Sequence, residues 1–351
     1  MGERRATLAG MKAWRLTDTG GIGSYVLDDI DEPQPGPGEV RVKLNTVGLN
    51  HLDIWVSKGL PAPHSLPHIG GADGAGIVDA VGDQVTGVAV GDQVVIDPST
   101  SCGACDYCRR GDIVYCSDFR IIGEHMPGTF TEKAAIPAVN AVAKPPDLAW
   151  DVAGSFGLAS VTALRALEKA RLKGGETVLV VGVGGGVSAA AMSFAKALGA
   201  AAVYVTSRSR EKLDWAISQG ADAAFDSTSE YGKEVRSLGG ADVVFDNVGA
   251  ATMRQSMAAA KPGGRIVIVG ATSGPKMELT IPYLFFRQLE LIGSSMGNHT
   301  QFARALDLIR LGEASSPVSR VFSFEELPDA LTFLDSGDQL GKVAVTHRGA
   351  A

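Results

Sequence analysis

Two rhythms divide the chain. Up to about residue 150, apolar positions come in short, alternating runs. Val40, Val42 and Leu44 interleave with Arg41, Lys43 and Asn45, the two-residue period of a strand with one buried face. Further short runs, such as GDQVVIDP over 91–98, sit between Gly, Pro and Asp turns, and no long helical pattern interrupts them. Beyond that point, continuous apolar stretches alternate with helical patterns. TVLVVG precedes a helix ending ALGA, AVYVT precedes REKLDWAISQGA, and ADVVFD precedes ATMRQSMAAAKPGG; RIVIVG and LELIGS follow. Uninterrupted apolar strands separated by helices predict a parallel sheet covered on both faces. The tail carries helical patterns over 301–311 and 324–334 and a last strand, KVAVTH.

The length of 351 residues suits about two domains. Hydrophobic residues at 45% and charged residues at 20% support a packed core and argue against global disorder. The 44 glycines are well above the usual share of about 7% and show no Gly-X-Y period, so they mark tight turns and not a collagen helix. A net charge of -7 argues against a nucleic-acid partner or an anionic membrane surface. The first ten residues, MGERRATLAG, lack the apolar core of a signal peptide. The stretch between Glu176 and Lys196 is uncharged and long enough to span a bilayer, but its Gly cluster divides a β-branched half from an Ala-rich half. That pattern predicts strand, turn and helix. The expectation is a soluble, cytoplasmic protein, whose thiols stay reduced.

Two motifs carry chemistry. In the first, Gly182, Gly184, Gly185 and Gly186 with Val187 follow a predicted strand and open a predicted helix. Glycines there let backbone N–H groups approach a pyrophosphate at the positive end of the helix; a Gly-rich turn without ligand is the alternative. The next strand ends TSRSR. An NAD site places an acid at that end for the ribose 2′-hydroxyl, and none is present; Ser207, Arg208 and Arg210 stand there instead, with Thr206. Charge-assisted hydrogen bonds of about 1.5–3 kcal/mol each would favour a 2′-phosphate. A net gain of roughly 2–4 kcal/mol is about a 30- to 700-fold preference for NADPH. Solvated helix-start arginines, one neutralised by Glu211, are the bland reading. In the second motif, Cys102, Cys105, Cys108 and Cys116 fall within one short loop, a spacing suited to a tetrahedral Zn2+ held by four thiolates. Such a site is closed, so one zinc per chain would be structural; free thiols are the alternative.

Together these features resemble the medium-chain dehydrogenase/reductase superfamily, which includes zinc-type alcohol dehydrogenases and quinone oxidoreductases. The resemblance also rests on PQPGPGEVRVK, GLNHLD, GADGAGIV and the closing GKVAV, and covers nearly the whole chain. It implies an α/β fold, a Rossmann doubly wound parallel sheet plus a GroES-like β-rich domain. The implied domains are 1–150, with a zinc lobe at about 98–120, 151–292 for the Rossmann part and 293–351 returning to the first, with the active site between them. Zinc-dependent members carry Cys where this chain has Asn50, His–Glu where it has Ala72 and Asp73, and a second Cys near Leu158; their relay hydroxyl falls at Leu52. The catalytic ligands are therefore missing while the structural lobe remains, as in zinc-lacking quinone and enoyl reductases. The Gly turn departs from the reductase form at Ser188, and Trp55 replaces a Tyr of some quinone reductases.

The implied activity is hydride transfer from NADPH to an enone, enal or quinone, with uncharged donors stabilising charge on the substrate oxygen. Asn50 is the candidate donor, His51 a candidate for cofactor contact or a proton path, and Asp53 a catalytic candidate that orients the loop or serves as an acid; Asn50 as a turn cap and Asp53 as a helix-start charge are the plain readings. Further candidates for the cofactor are Asn247, Gly270, Ala271 and Thr272 at strand ends, Ser295, Met296 and Gly297, and Lys342. For Asn247, next to Asp246, a plain turn competes, and for Lys342 a surface charge. Two other hypotheses stand beside this one. One is an alcohol dehydrogenase or carbonyl reductase, with or without an atypical metal site drawn from His51, Asp53, His68, Asp73 and His125. A non-enzymatic NADP-binding sensor or structural protein is the other. The apolar IPYLFFRQLELIGS predicts a covered sheet edge and a homodimer, with a tetramer as the alternative.

Overall fold

The computed structural model describes residues 10–347. The chain divides into two compact units. The first comprises residues up to Leu158, Arg320–Ser336 and the chain from Val343 onward. Its main sheet has seven strands in the order Ala141–Ala143, Gln93–Ile96, Ala75–Val81, Glu39–Leu49, Lys342–Thr346 and Val318–Ser323, with Lys133–Pro137 also pairing Glu39–Leu49. The alternation read from the sequence holds through Leu44: Val40, Val42 and Leu44 are buried, and Lys43 is exposed. After Leu44 every residue of that strand is buried, because the chain packs on both faces. Gly48 shows how tightly: a Cβ there would lie 2.4 Å from Ser155 Cα. The strand then ends at the helix His51–Ser57, so its buried half delivers Asn50 and Asp53 to the interior. Trp14 Nε1 donates to Phe324 O at 2.8 Å, tying the first strand of the unit to its returning segment.

The second unit comprises Ala159–Ser319 and Gly337–Lys342. Six parallel strands run in the order Ala223–Asp226, Ala202–Ser207, Thr177–Val181, Ala241–Asp246, Ala260–Ile268 and Glu290–Gly293. The strand that is first in sequence lies inside the sheet, between the second and the fourth. Chain direction across the sheet reverses there, and ligands of such sheets gather outside the carboxyl ends of the strands at that reversal. Val178, Leu179, Val180 and Val181 are all fully buried, as a strand covered on both faces requires. The chain is thus mixed α/β, with a doubly wound parallel sheet in one unit and a β-rich first unit.

The boundaries differ from those expected. The first unit runs on to Leu158, and residues 293–319 stay with the second unit; the return begins at Arg320. The helix His299–Arg310, capped by Asn298 with Gln301, is held to Gly157–Lys169: Gln301 Nε2 donates to Glu168 Oε2 at 2.6 Å. Residues 337–342 also belong to the second unit, through Gly341 N to Gly184 O at 2.9 Å and Lys342 N to Pro317 O at 2.8 Å. Among the described residues, no helix is long and apolar enough to cross a membrane; residues 176–196 form the strand Thr177–Val181, a turn and the helix Gly186–Ala197.

Candidate functional site

The four cysteines converge. A short β-pairing of Ser99–Thr100 with Arg120–Ile121 closes the base of their loop, and Cys105 caps the single-turn helix Asp106–Arg109. The Sγ atoms all lie within 4.8 Å of one another, with Cys105–Cys108 and Cys116–Cys102 at 3.5 Å and Cys102–Cys108 at 3.8 Å. Four sulfurs about 2.3 Å from a tetrahedral zinc stand about 3.8 Å apart, so the donors are already set for that ion. Backbone N–H groups of Ala104 and Cys105 pull the Cys102 thiol down to about 6, toward the thiolate that a metal needs. Asp118 N donates to Cys116 Sγ at 3.3 Å. The atypical set of His51, Asp53, His68, Asp73 and His125 does not converge in this way: among the described residues the cysteines are the one such group. His68 Nε2 instead meets Gly123 O at 2.8 Å, and His125 Nδ1 accepts from Ile121 N at 3.1 Å.

Asn50 is the extended N-cap of His51–Ser57, in a capping box with Asp53. Asp53 Oδ2 accepts from Asn50 N at 2.7 Å and its Oδ1 from Gly71 N at 3.2 Å. The cap and helix-start readings are therefore realised, but the Asn50 side chain does more. Its Nδ2 donates to Asp73 Oδ2 at 3.0 Å, while Leu158 N donates to Asp73 Oδ1 at 2.7 Å. Asn50, Asp53 and Asp73 are 7%, 1% and 1% exposed. The same sites include Ala72 and the Leu158 side chain, both buried and neither able to ligate. Leu52 packs against the core of the unit. His51 opens the helix, its ring 6.3 Å from that of Trp55.

In the second unit, the glycine turn is pinned where it leaves its strand: Gly182 N and Val183 N donate to Thr206 O at 3.1 and 2.8 Å. Gly182 and Gly184 have φ of 80° and 128°, backbone that side chains rarely adopt. Gly185 then caps Gly186–Ala197 with no side-chain cap hydrogen bond, the arrangement in which a helix start receives an anion. Two lysines flank it. A Cβ on Gly184 would lie 2.5 Å from Lys212 Cδ, and one on Gly186 would lie 2.6 Å from Lys342 Cδ. Lys212 Nζ donates to Gly337 O. Burial holds its ammonium below the ordinary lysine range; Asp338 opposes that shift and the Arg208 cation adds to it. Lys342 is buried, not a surface charge.

Of the other candidates, Ser207 closes its strand and accepts from Ser209 N at 3.2 Å, and Arg208 is exposed beside it. Arg210 turns away, pairing with Asp214 at 2.8 Å with 85% of its side chain exposed. At the next strand ends, the buried Asp246 accepts from Val248 N, Gly249 N, Thr252 Oγ1 and Ser256 Oγ, and so holds the loop that carries Asn247. Thr272 Oγ1 donates to Asn247 O at 3.4 Å, and a Cβ on Gly270 would sit 2.5 Å from that oxygen; Ala271 lies between them. Ser294 N donates to Ile268 O, bringing Ser295, Met296 and Gly297 to the same edge of the sheet; Met296 is buried with φ of 50°. Val187 follows in the first turn of the helix. Sequence reasoning missed Lys212 and the bond partners of Asp73. Lys212 had a signal, since it is a cation in the first turn of the helix that follows the second strand of the sheet.

Replacing Cys105 with Ser is expected to lower bound zinc to well under one ion per chain by atomic absorption and to reduce thermal stability. Unchanged zinc content would show that the lobe does not hold the ion.

Residues 36–147 match the alcohol dehydrogenase GroES-like domain, and residues 186–310 match the zinc-binding dehydrogenase domain. The chain is 32% identical to an NAD-dependent alcohol dehydrogenase of Sulfolobus acidocaldarius over 327 residues, 90% of this chain and 94% of that one. It is 30% identical to an acryloyl-coenzyme A reductase of Sulfurisphaera tokodaii over 325 residues, 92% of this chain and 96% of the relative. A crystal structure of an NAD-dependent alcohol dehydrogenase shares 38% identity and a TM-score of 0.92, over 96% of this chain and 99% of its own. Likeness at this level over nine-tenths of each chain assigns the family: the protein belongs to the medium-chain dehydrogenase/reductase superfamily and is an oxidoreductase.

Proposed function

We propose that the protein is an NADPH-dependent reductase of the quinone and enoyl reductase type, acting on an activated C=C bond or a quinone without a catalytic metal ion. One observation carries the reading. At the positions where zinc-dependent members hold their catalytic ion, Asn50, Ala72 and Leu158 offer neither thiolate nor imidazole, and the Asp73 carboxylate is engaged by the Asn50 amide and Leu158 N–H. A Lewis acid contributes several kcal/mol to alcohol oxidation, and a conjugated acceptor needs less, since uncharged donors can meet the charge that grows on its oxygen. The acryloyl-coenzyme A reductase among the relatives supports this reading.

NADPH, when bound, supplies the hydride. In the second unit, the backbone of Gly184, Gly185 and Gly186, with Lys342 against it, would hold the pyrophosphate; Ser207, Arg208 and Lys212 would hold the 2′-phosphate. Arg210 has a reduced part, given its pairing with Asp214. Asn247, Gly270, Ala271, Thr272, Ser295, Met296 and Gly297 would border the nicotinamide end. In the first unit, Asn50 would donate to the substrate oxygen, Asp53 would hold its loop through Gly71, and His51 would contact cofactor or pass a proton. The four cysteines would hold one structural zinc. The two alcohol dehydrogenases described above favour a second reading, an alcohol dehydrogenase or carbonyl reductase.

The chain would pair with itself through Glu290–Gly293, the edge strand of its sheet. The neighbouring helix Ile281–Phe286 exposes Ile281, Phe285 and Phe286, the last to 78%. Apolar surface at an open edge calls for a cover.

The deciding assay is NADPH oxidation with cyclohexenone, crotonaldehyde and benzoquinone, alongside zinc counting. Turnover with one zinc per chain is expected. Alcohol oxidation with a second metal ion per chain would establish the second reading, and no turnover on a broad panel despite tight NADPH binding would leave a sensor. Arg208→Ala should weaken NADPH by about 10- to 100-fold and NADH by less than about twofold; equal losses would defeat the phosphate clamp. Light scattering at micromolar concentration should give twice the chain mass or more, and a monomer would contradict the edge pairing.

A further inference from the structure

We infer that Asp73 is the positioning residue of the first unit's site, tying together by hydrogen bonds the segments that a catalytic ion would otherwise join. It rests on the reading of Asn50 as the donor to substrate. Three segments meet at the Asp73 carboxylate. Asn50 comes from the end of Glu39–Leu49, Asp73 from the stretch before Ala75–Val81, and Leu158 from the first turn of Gly157–Lys169. At 1% exposure the carboxylate needs donors. It has Asn50 Nδ2 at 3.0 Å on one oxygen and Leu158 N at 2.7 Å on the other. Its backbone oxygen is held by Thr129 Oγ1 at 2.7 Å, so the residue itself has little freedom.

The consequence is a matter of polarity. An ionised carboxylate only accepts, whereas an amide has a donor end and an acceptor end. Facing Asp73, Asn50 must present its NH2 group and keep its oxygen toward the helix cap, where the capping box uses it. The amide therefore cannot flip. An oxygen turned toward the substrate would repel the negative charge that forms there, while the NH2 end would stabilise it. Asp73 thus acts through Asn50, by fixing which end of the amide is available.

The test uses the full chain with NADPH and cyclohexenone. Asp73→Asn keeps the shape and removes the acceptor-only character. It should lower kcat by about 10- to 100-fold, with the NADPH Kd and the melting temperature nearly unchanged. The double exchange Asn50→Asp with Asp73→Asn restores an amide-to-carboxylate bond in the reverse direction. It should keep the melting temperature and fail to recover kcat. Recovery of kcat in the double exchange, or a kcat within twofold of wild type in Asp73→Asn, would overturn the inference. Should wild type reduce no enone or quinone at all, the proposed function falls by itself. The tie is then read from hydrogen exchange at the Leu158 amide in Asp73→Ala: faster exchange supports it and unchanged protection overturns it.

Discussion

A carboxylate sealed from water must be matched by donors, and the first unit is organised around one that is. Asp73 has its two oxygens on Asn50 and on the backbone of Leu158, residues far apart in sequence. A buried charge left without such partners costs far more than a typical hydrogen bond returns, so the three segments are held to one arrangement. Asp53 repeats the device nearby, joining Asn50 N to Gly71 N. The result is an interior polar network at the buried end of the strand Glu39–Leu49.

The second unit solves a different problem, exposing backbone donors without leaving them bare. Positive φ at Gly182 and Gly184 bends the chain sharply out of its strand, and Gly185 starts the helix with no side-chain cap hydrogen bond. Lys212 and Lys342 lay their methylenes across the missing Cβ positions of Gly184 and Gly186. The glycines thus serve the lysines as well as the turn: a side chain at 184 or 186 would displace a lysine side chain.

Much of this was legible in the chain. The two-residue period at Val40–Leu44 and the apolar strands with intervening helices announced a β-rich unit and a parallel sheet, because burial on one face or both leaves a direct mark on residue type. The spacing of Cys102, Cys105, Cys108 and Cys116 announced a metal-ready cluster, because so short a loop leaves thiols little room to separate. The strand Ala223–Asp226 is not legible in the sequence, since its short run of small residues lacks a strong apolar signature. That residues 293–319 group with the second unit is not legible for a similar reason: a helix pattern shows that a face is buried, but not against what.

The sequence by itself determined the element types, the glycine turn and the cysteine cluster, all of which depend on residue identity and close spacing. Tertiary structure alone decided that Asp73 faces Asn50 and Leu158 and that Lys212 and Lys342 flank the glycine turn. Those choices depend on which distant donors and acceptors a buried or crowded group finds once the backbone is in place. A one-dimensional pattern carries no record of that pairing.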